Sequence, residues 1–237
     1  MAAVVPADSG WHPGIDCIAH CQTVEWTAEE AIGMKEHWER IYQEKESQAL
    51  SWYQEKPETS LRLIAVATLD MNAGIIDVGA GDSTLVDNLF ALGFTNITAL
   101  DVSSMALQRA KNRMGSETDA VKWVVADVRE LETNERYQLW HDRAVLHFLT
   151  KEEDRYKYAE RVRRFLKPGG FLIVAAFSPK GPTKCSGLEI RQYSEDSLKE
   201  LFSDFEHIQS FEEEHLTPWG SSQNFLYSMF RKKEGRE

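Results

Sequence analysis

The residues of this chain best spaced for chemistry are three aspartates, each closing or flanking a short apolar run. Asp77 lies in Ile75-Ile76-Asp77-Val78, Asp101 ends Ile97-Thr98-Ala99-Leu100-Asp101, and Asp127 follows Trp123-Val124-Val125-Ala126. An ionised carboxylate only accepts hydrogen bonds, so it suits paired hydroxyls, an exocyclic amine or an ammonium group. The first run leads into Gly79-Ala80-Gly81-Asp82-Ser83-Thr84. Two glycines there let the backbone turn sharply and approach a ligand with no Cβ between them. Asp101 comes 20 residues after Gly81, where an acid can accept both ribose hydroxyls of an adenosine. Asp127 stands where a carboxylate can accept from the adenine amine. Alone, Gly-x-Gly is also what a tight strand-to-helix turn looks like, and Asp is common in turns; acids at three successive strand ends favour a nucleoside site.

The same loop says which adenosine cofactor. A dinucleotide fingerprint wants a third small residue where Thr84 stands, and Asp82 would sit beside a pyrophosphate, a costly pairing of like charges. S-adenosylmethionine (SAM) has no phosphate; its sulfonium and ammonium suit Asp77 and Asp82. A nicotinamide-dependent oxidoreductase is the second enzyme reading, disfavoured by Asp82 and Thr84. A SAM-binding protein without catalysis, acting as regulator or scaffold, shares the loop but needs nothing at the end of the fourth strand. An aminopropyltransferase using decarboxylated SAM is a minor variant.

The elements that position these residues alternate along the chain. Helical periodicity runs from Glu29 to Tyr42, then from about Pro57 to Leu69, with Pro57 suited to a first turn. Strands are expected at Ile75–Val78, Ile97–Asp101, Trp123–Ala126, Tyr137–Ala144 and Phe171–Ala176. Helices between them are expected at Thr84–Leu92, closed by Gly93, and from Ser103, as N-cap, to about Met114. Another ends near Leu166, with Thr150 and Glu153 as a capping box and Lys167-Pro168-Gly169-Gly170 as its stop. Repeated strand and helix with near-continuous apolar strands implies a parallel sheet covered on both faces. The tail instead gives a helix near Ser194–Phe202 and two longer strands, Phe205–Leu216 and Phe225–Lys232. A turn holding Pro218 and Gly220 makes those strands an antiparallel pair; Glu212-Glu213-Glu214 reads as a solvated edge.

Over about residues 35–233 the sequence resembles the class I SAM-dependent methyltransferases. Asp77-Val78-Gly79-Ala80-Gly81-Asp82 is similar to their first motif, Asp101 to their ribose-binding acid, Ala126-Asp127-Val128 to their adenine-binding segment, and Lys167–Gly170 to the turn before their fifth strand. The resemblance implies an α/β, Rossmann-like doubly wound seven-stranded sheet, mostly parallel with an antiparallel last strand and helices on both faces. It implies cofactor contacts from Asp77, Gly79, Ala80, Gly81, Asp82, Asp101, Val102, Asp127, Val128 and His141, with Asp77 at the amino-acid end. Asp142-Arg143-Ala144 and His37-Trp38…Tyr42…Ser51-Trp52-Tyr53 are similar to two subgroups, the thiopurine-type enzymes and the lysine methyltransferases acting on elongation factors. Ala144 replaces the subgroup's usual Gly. No Asn/Asp-Pro-Pro-Tyr/Phe sequence is present, against amino-methylation of adenine or glutamine.

Methyl transfer is an in-line displacement at an activated sulfonium, so the protein mainly aligns the partners and excludes water. Where the acceptor arrives protonated, His141 and His147 are the candidate bases, with Asp142 between them as a third catalytic candidate. Trp38, Tyr42, Trp52 and Tyr53 are expected as an aromatic cap favouring a cation, with Arg143 on the acceptor side; packing of the N-terminal helices is the competing reading, strongest for Trp38 and Tyr42. Cys185, in a loop after the fifth strand, borders the expected acceptor entrance, and Trp219, Gly220 and Gln223 lie in the last turn.

Composition bounds the rest. The chain has 237 residues, 42% hydrophobic and 27% charged, with a net charge of -11. That is enough for one sizeable core, read as an arm over 1–27 and one domain over 28–237, divided into a helical lid at 28–70 and a core at 71–237. The negative charge disfavours nucleic acid as partner. No stretch reaches the roughly 20 apolar residues of a membrane span, the start lacks a basic signal-peptide region, and three cysteines make no closed disulfide framework; these point to the cytosol. His12, Cys17, His20 and Cys21 match no standard zinc spacing, so no metal is expected. A small-molecule acceptor is favoured over a protein lysine because no recognition domain is appended.

Overall fold

The computed structural model describes residues 28–234. The expected arm, including His12, Cys17, His20 and Cys21, lies outside the described residues. Six helices are α1 Ala28–Glu44, α2 Glu58–Val66, α3 Leu85–Ala91, α4 Ser104–Met114, α5 Glu152–Phe165 and α6 Glu195–Leu201. The strands are β1 Ile75–Val78, β2 Ile97–Asp101, β3 Val121–Val125, β4 Tyr137–Arg143, β5 Leu166–Phe177, the short pair β6 Lys184–Cys185 and β7 Leu188–Glu189, then β8 Phe205–Leu216 and β9 Ser222–Lys232. Seven strands form one sheet in the order β3-β2-β1-β4-β5-β9-β8. β1 to β5 are mutually parallel, and β9 is antiparallel to both neighbours. The last strand is therefore inserted between β5 and β8, leaving β8 as the edge.

Strand order runs one way from β1 through β2 to β3 and the other way from β4 onward. Ligands of open α/β sheets bind at such a switch, outside the carboxyl ends of the strands. Neighbouring residues in register share a face, and successive residues alternate. Ile76, Trp140, Leu172 and Val174 thus pack under α5 and α6, while Ile75, Leu139, Ile173 and Ala175 pack under α2, α3 and α4. A smaller cluster, Ile41, Tyr42, Leu50 and Ala106, seats α1 on α4. Among the described residues no helix is long and apolar enough to cross a membrane.

Two local expectations are corrected. The Thr150/Glu153 capping box does not form: α5 starts at Glu152, with Lys151 as N-cap and no side-chain cap bond. Three acids, Glu152, Glu153 and Asp154, occupy the first turn instead, where they complement the helix dipole. Lys167–Gly170 does not simply precede β5 but bulges within it. Between Tyr137 and Leu139 of β4 the partner on β5 moves from Leu166 to Phe171, and Gly169 takes φ 73° there. Ser103 does cap α4, accepting from Ala106 N at 3.1 Å, and Ser194 forms a capping box with Ser197 on α6.

Candidate active site

The loop after β1 requires its glycines. Gly79 and Gly81 have φ of 66° and 55°, a region that L side chains avoid. A Cβ on Gly79 would also run into Val145 Cγ2, and one on Gly81 into the Tyr42 hydroxyl. Asp101, at the tip of β2, accepts from Gly81 N at 2.9 Å and Ser103 N at 2.8 Å. Burial pushes its pKa up to about 7 against those two bonds, with the Asp77 and Asp82 charges adding to the rise.

Helix α1 is fastened over this loop through α4. The Glu39 carboxylate accepts from Ser104 N at 2.8 Å and Met105 N at 3.1 Å, and from the Ser103 and Ser104 hydroxyls at 2.7 and 2.8 Å. It thereby satisfies backbone donors at the start of α4 that the helix itself leaves unpaired, and those bonds hold its pKa down. Arg109 of α4 donates to Lys45 O at 2.7 Å and to Tyr42 O, and lies 3.5 Å from Asp82. Asp82 also accepts from the Ser47 hydroxyl. Its carboxylate is thus already matched by a cation of the fold, where the sequence suggested a charge held ready for the ligand.

Strand alternation divides the end of β4. His141 lies beside Asp77 in register, its Nδ1 2.7 Å from Asp77 Oδ1 and its Nε2 2.9 Å from Ser60 Oγ on α2. Because the carboxylate only accepts, Nδ1 carries the proton toward it. The other Asp77 oxygen, Oδ2, is buried without a partner. Asp142 points to the opposite face. It is fully buried and accepts from Val145 N at 2.8 Å and Leu146 N at 3.1 Å, fixing the turn Leu146–Phe148. Burial pushes its pKa up to about 6, opposed by the Tyr158 hydroxyl and these amides. Arg143 returns to the His141 side.

Two hollows meet at this edge. The larger, about 980 Å³ including its open mouth, is lined by Trp38, Tyr42, Trp52, Gly79, Asp101, Val102, Asp127, Val128 and Arg143 of the expected residues. The smaller takes Trp52, Tyr53, Asp77, Gly79, Ala80, Asp82, His141 and Arg143. Gly81, Asp142 and His147 line neither. His147 is fully buried between Phe148 and Phe177, with centroids 4.5 and 4.6 Å away. Burial, aided by Arg143, lowers its pKa to about 3, so the ring is neutral. Asp127 does reach the larger hollow but is held by Arg129, with N and Nε donating to Oδ1 at 2.8 and 2.9 Å. Trp38 and Trp52 meet edge to face at 5.7 Å, and Trp38 meets Phe148 at 5.0 Å.

Several lining residues were not singled out from the sequence: Ser60, Phe148, Phe177 and Phe225 come from four distant segments. Arg129, two residues past Asp127, carried a readable signal as a local partner. Cys185 does line the larger hollow, where burial pushes its thiol up to about 11. Gln223 also lines it, whereas Trp219 is 59% exposed and does not.

Residues 75–170 match the family model described as a methyltransferase domain. Human EEF1A lysine methyltransferase 2 is 24% identical over 219 residues, covering 86% of this chain and 87% of that protein. Among solved structures, the Burkholderia thailandensis 1,6-didemethyltoxoflavin-N1-methyltransferase, with bound 1,6-didemethyltoxoflavin and S-adenosylhomocysteine, superposes with TM-score 0.62 at 19% identity, covering 87% of both chains. The N-methyltransferase NodS of Bradyrhizobium japonicum, in complex with S-adenosylhomocysteine, gives 0.64 at 17% identity, over 84% of this chain and all (100%) of that one. The family match starts with the first residue of β1 and runs through the bulge of β5, the stretch that carries every strand-end acid described above, and the chain is a SAM-dependent methyltransferase.

Proposed function

We propose that this enzyme methylates a small-molecule acceptor seated in the aromatic end of the larger hollow, with residues 28–70 as its lid. The carrying observation is the aromatic lining of that end. Trp38 from α1, Trp52, Phe148, Phe177 and Phe225 all line it, and α1 is bound down by Glu39 and Arg109. Sites for small molecules are mostly apolar and concave, with a few placed polar groups.

The cofactor's groups have matching partners. Asp101 faces the hollow with two oxygens suited to a ribose diol, Asp127 is the candidate for the adenine amine, and the unpartnered Asp77 Oδ2 suits an ammonium. When bound, SAM supplies a methyl group already activated by a sulfonium. The chain's own contribution is alignment and exclusion of water. His141 is a positioning residue that turns Asp77 toward the smaller hollow, while Asp142 and His147 set the turn and its packing.

No general base is assigned. Of the titratable side chains lining the acceptor end, Cys185 stays protonated at neutral pH and Arg143 stays cationic. The acceptor therefore brings its own lone pair. A second reading, methylation of a protein lysine, is favoured by the similarity to EEF1A lysine methyltransferase 2. Incubating the enzyme with cell extract and methyl-labelled SAM, then separating by size, decides between them. Label in the small-molecule fraction supports the first reading; label confined to a protein band overturns it.

A further inference from the structure

We propose that Arg143 and Gln223 clamp an anionic oxygen group of the acceptor, so the substrate class is a small acid with a planar apolar body. This rests on the small-molecule reading above and narrows it.

The guanidinium is built in place before any ligand arrives. Nε donates to the Tyr227 hydroxyl at 3.1 Å and Nη1 to Trp52 O at 3.0 Å. The Phe225 ring lies under it, 4.9 Å from Cζ to centroid. All three partners are uncharged, and no described carboxylate pairs with this cation. Its third nitrogen, Nη2, is buried without a partner. Buried charges in proteins are normally paired, because an unpaired one forfeits its hydration. The uncompensated positive field is felt locally: besides burial, Arg143 depresses the pKa values of His147 and His215.

A second orphan lies on the wall of the same hollow. Gln223 is 9% exposed, and its Oε1 has no partner. An amide offers an acceptor through its oxygen or, rotated, a donor through its nitrogen, so either way a buried polar atom is left for a ligand. An Arg fork recognises a planar two-oxygen anion, commonly in bidentate fashion, and Gln223 can take a neighbouring donor or oxygen. The rings of Phe148, Phe177 and Phe225 complete a slot for a flat body. An ammonium-bearing acceptor would meet the same cation with like charge. The clamp therefore argues against the amine chemistry of a lysine side chain in this chain's pocket.

The test uses calorimetry at low salt on the whole protein with phenylacetate, phenylacetamide and phenethylamine, each with and without S-adenosylhomocysteine. Phenylacetate is expected to bind at least tenfold more tightly than its amide or amine counterpart. Arg143→Met should erase that preference and Gln223→Leu should reduce it, both keeping S-adenosylhomocysteine affinity within about threefold. Equal or tighter binding of the amine, binding of none of the three, or a preference that survives Arg143→Met overturns the clamp. So does a loss confined to S-adenosylhomocysteine, which would give the guanidinium to the cofactor. If Arg143→Met does not fold, the wild-type series and Gln223→Leu decide. Failure of the wild type to hold S-adenosylhomocysteine would sink the methyltransferase site instead, and the series without it would still judge the clamp.

Discussion

Replacing Asp101 by Asn should make the ligand-free enzyme more stable at neutral pH while weakening its hold on the cofactor. Asp101 is 7% exposed, and its pKa stands at about 7 against a reference of 3.8. Below the reference value both folded and unfolded chains carry the proton, so the carboxyl imposes no pH-dependent cost. Between about 4 and 7 the unfolded chain releases its proton while the folded chain retains it, and stability falls as pH rises. Across a shift of about three units the loss is roughly 4 kcal/mol, at 1.36 kcal/mol per unit. The Asn side chain removes the charge but sacrifices a bond. Gly81 N and Ser103 N each donate to a different carboxylate oxygen, and an amide can accept only one of them, costing about 1–3 kcal/mol. The net gain at pH 8 is therefore about 1–3 kcal/mol. Urea unfolding of both proteins from pH 5 to 8.5 checks this: their difference should grow in favour of the Asp101→Asn variant up to about pH 7 and then level. In parallel, S-adenosylhomocysteine should bind the variant at least tenfold more weakly. A variant less stable than the parent at pH 8, with an unchanged pH slope, would refute the view of Asp101 as a strained acid kept for a ligand.

Ala144 holds φ 79°, so Ala144→Gly should raise unfolding stability by about 1 kcal/mol through relief of backbone strain; a loss of stability in urea would contradict that. His141→Leu leaves the buried Asp77 carboxylate without its partner and should lower stability by about 3 kcal/mol and weaken S-adenosylhomocysteine binding, both readable by thermal unfolding with and without ligand. Glu39→Gln loses the charge-assisted bonds that fasten α1 to α4 and should speed S-adenosylhomocysteine dissociation several-fold in stopped flow. His147→Phe should retain methyl transfer within about threefold, since the ring is neutral and outside both hollows; a loss beyond a hundredfold would restore it as a base.

The carboxyl-end edge of the first strands was legible in the sequence because its information is local. Apolar runs of strand length, the glycines of a tight turn and acids at consecutive strand ends are all set within a few residues, and β1, β2 and β8 fall where their patterns place them. The antiparallel closing strand was legible for the same reason. The acceptor side was not. His141, Asp142 and His147 read as one catalytic stretch, yet period-two alternation turns Asp142 away from His141, and the turn after the strand sets His147 between two aromatic rings. Ser60 meets His141 across 81 residues, and Tyr227 meets Arg143 across 84; no spacing rule encodes such pairs. Asp82 shows the limit most plainly. Its type and place suggested a charge offered to a ligand, but only folding brings Arg109 and Ser47 against it. Sequence determined which backbone would turn after β1 and which acids would stand at the strand ends. Tertiary structure decided which charges remain unpaired, because neutralisation depends on neighbours that the chain supplies from far away.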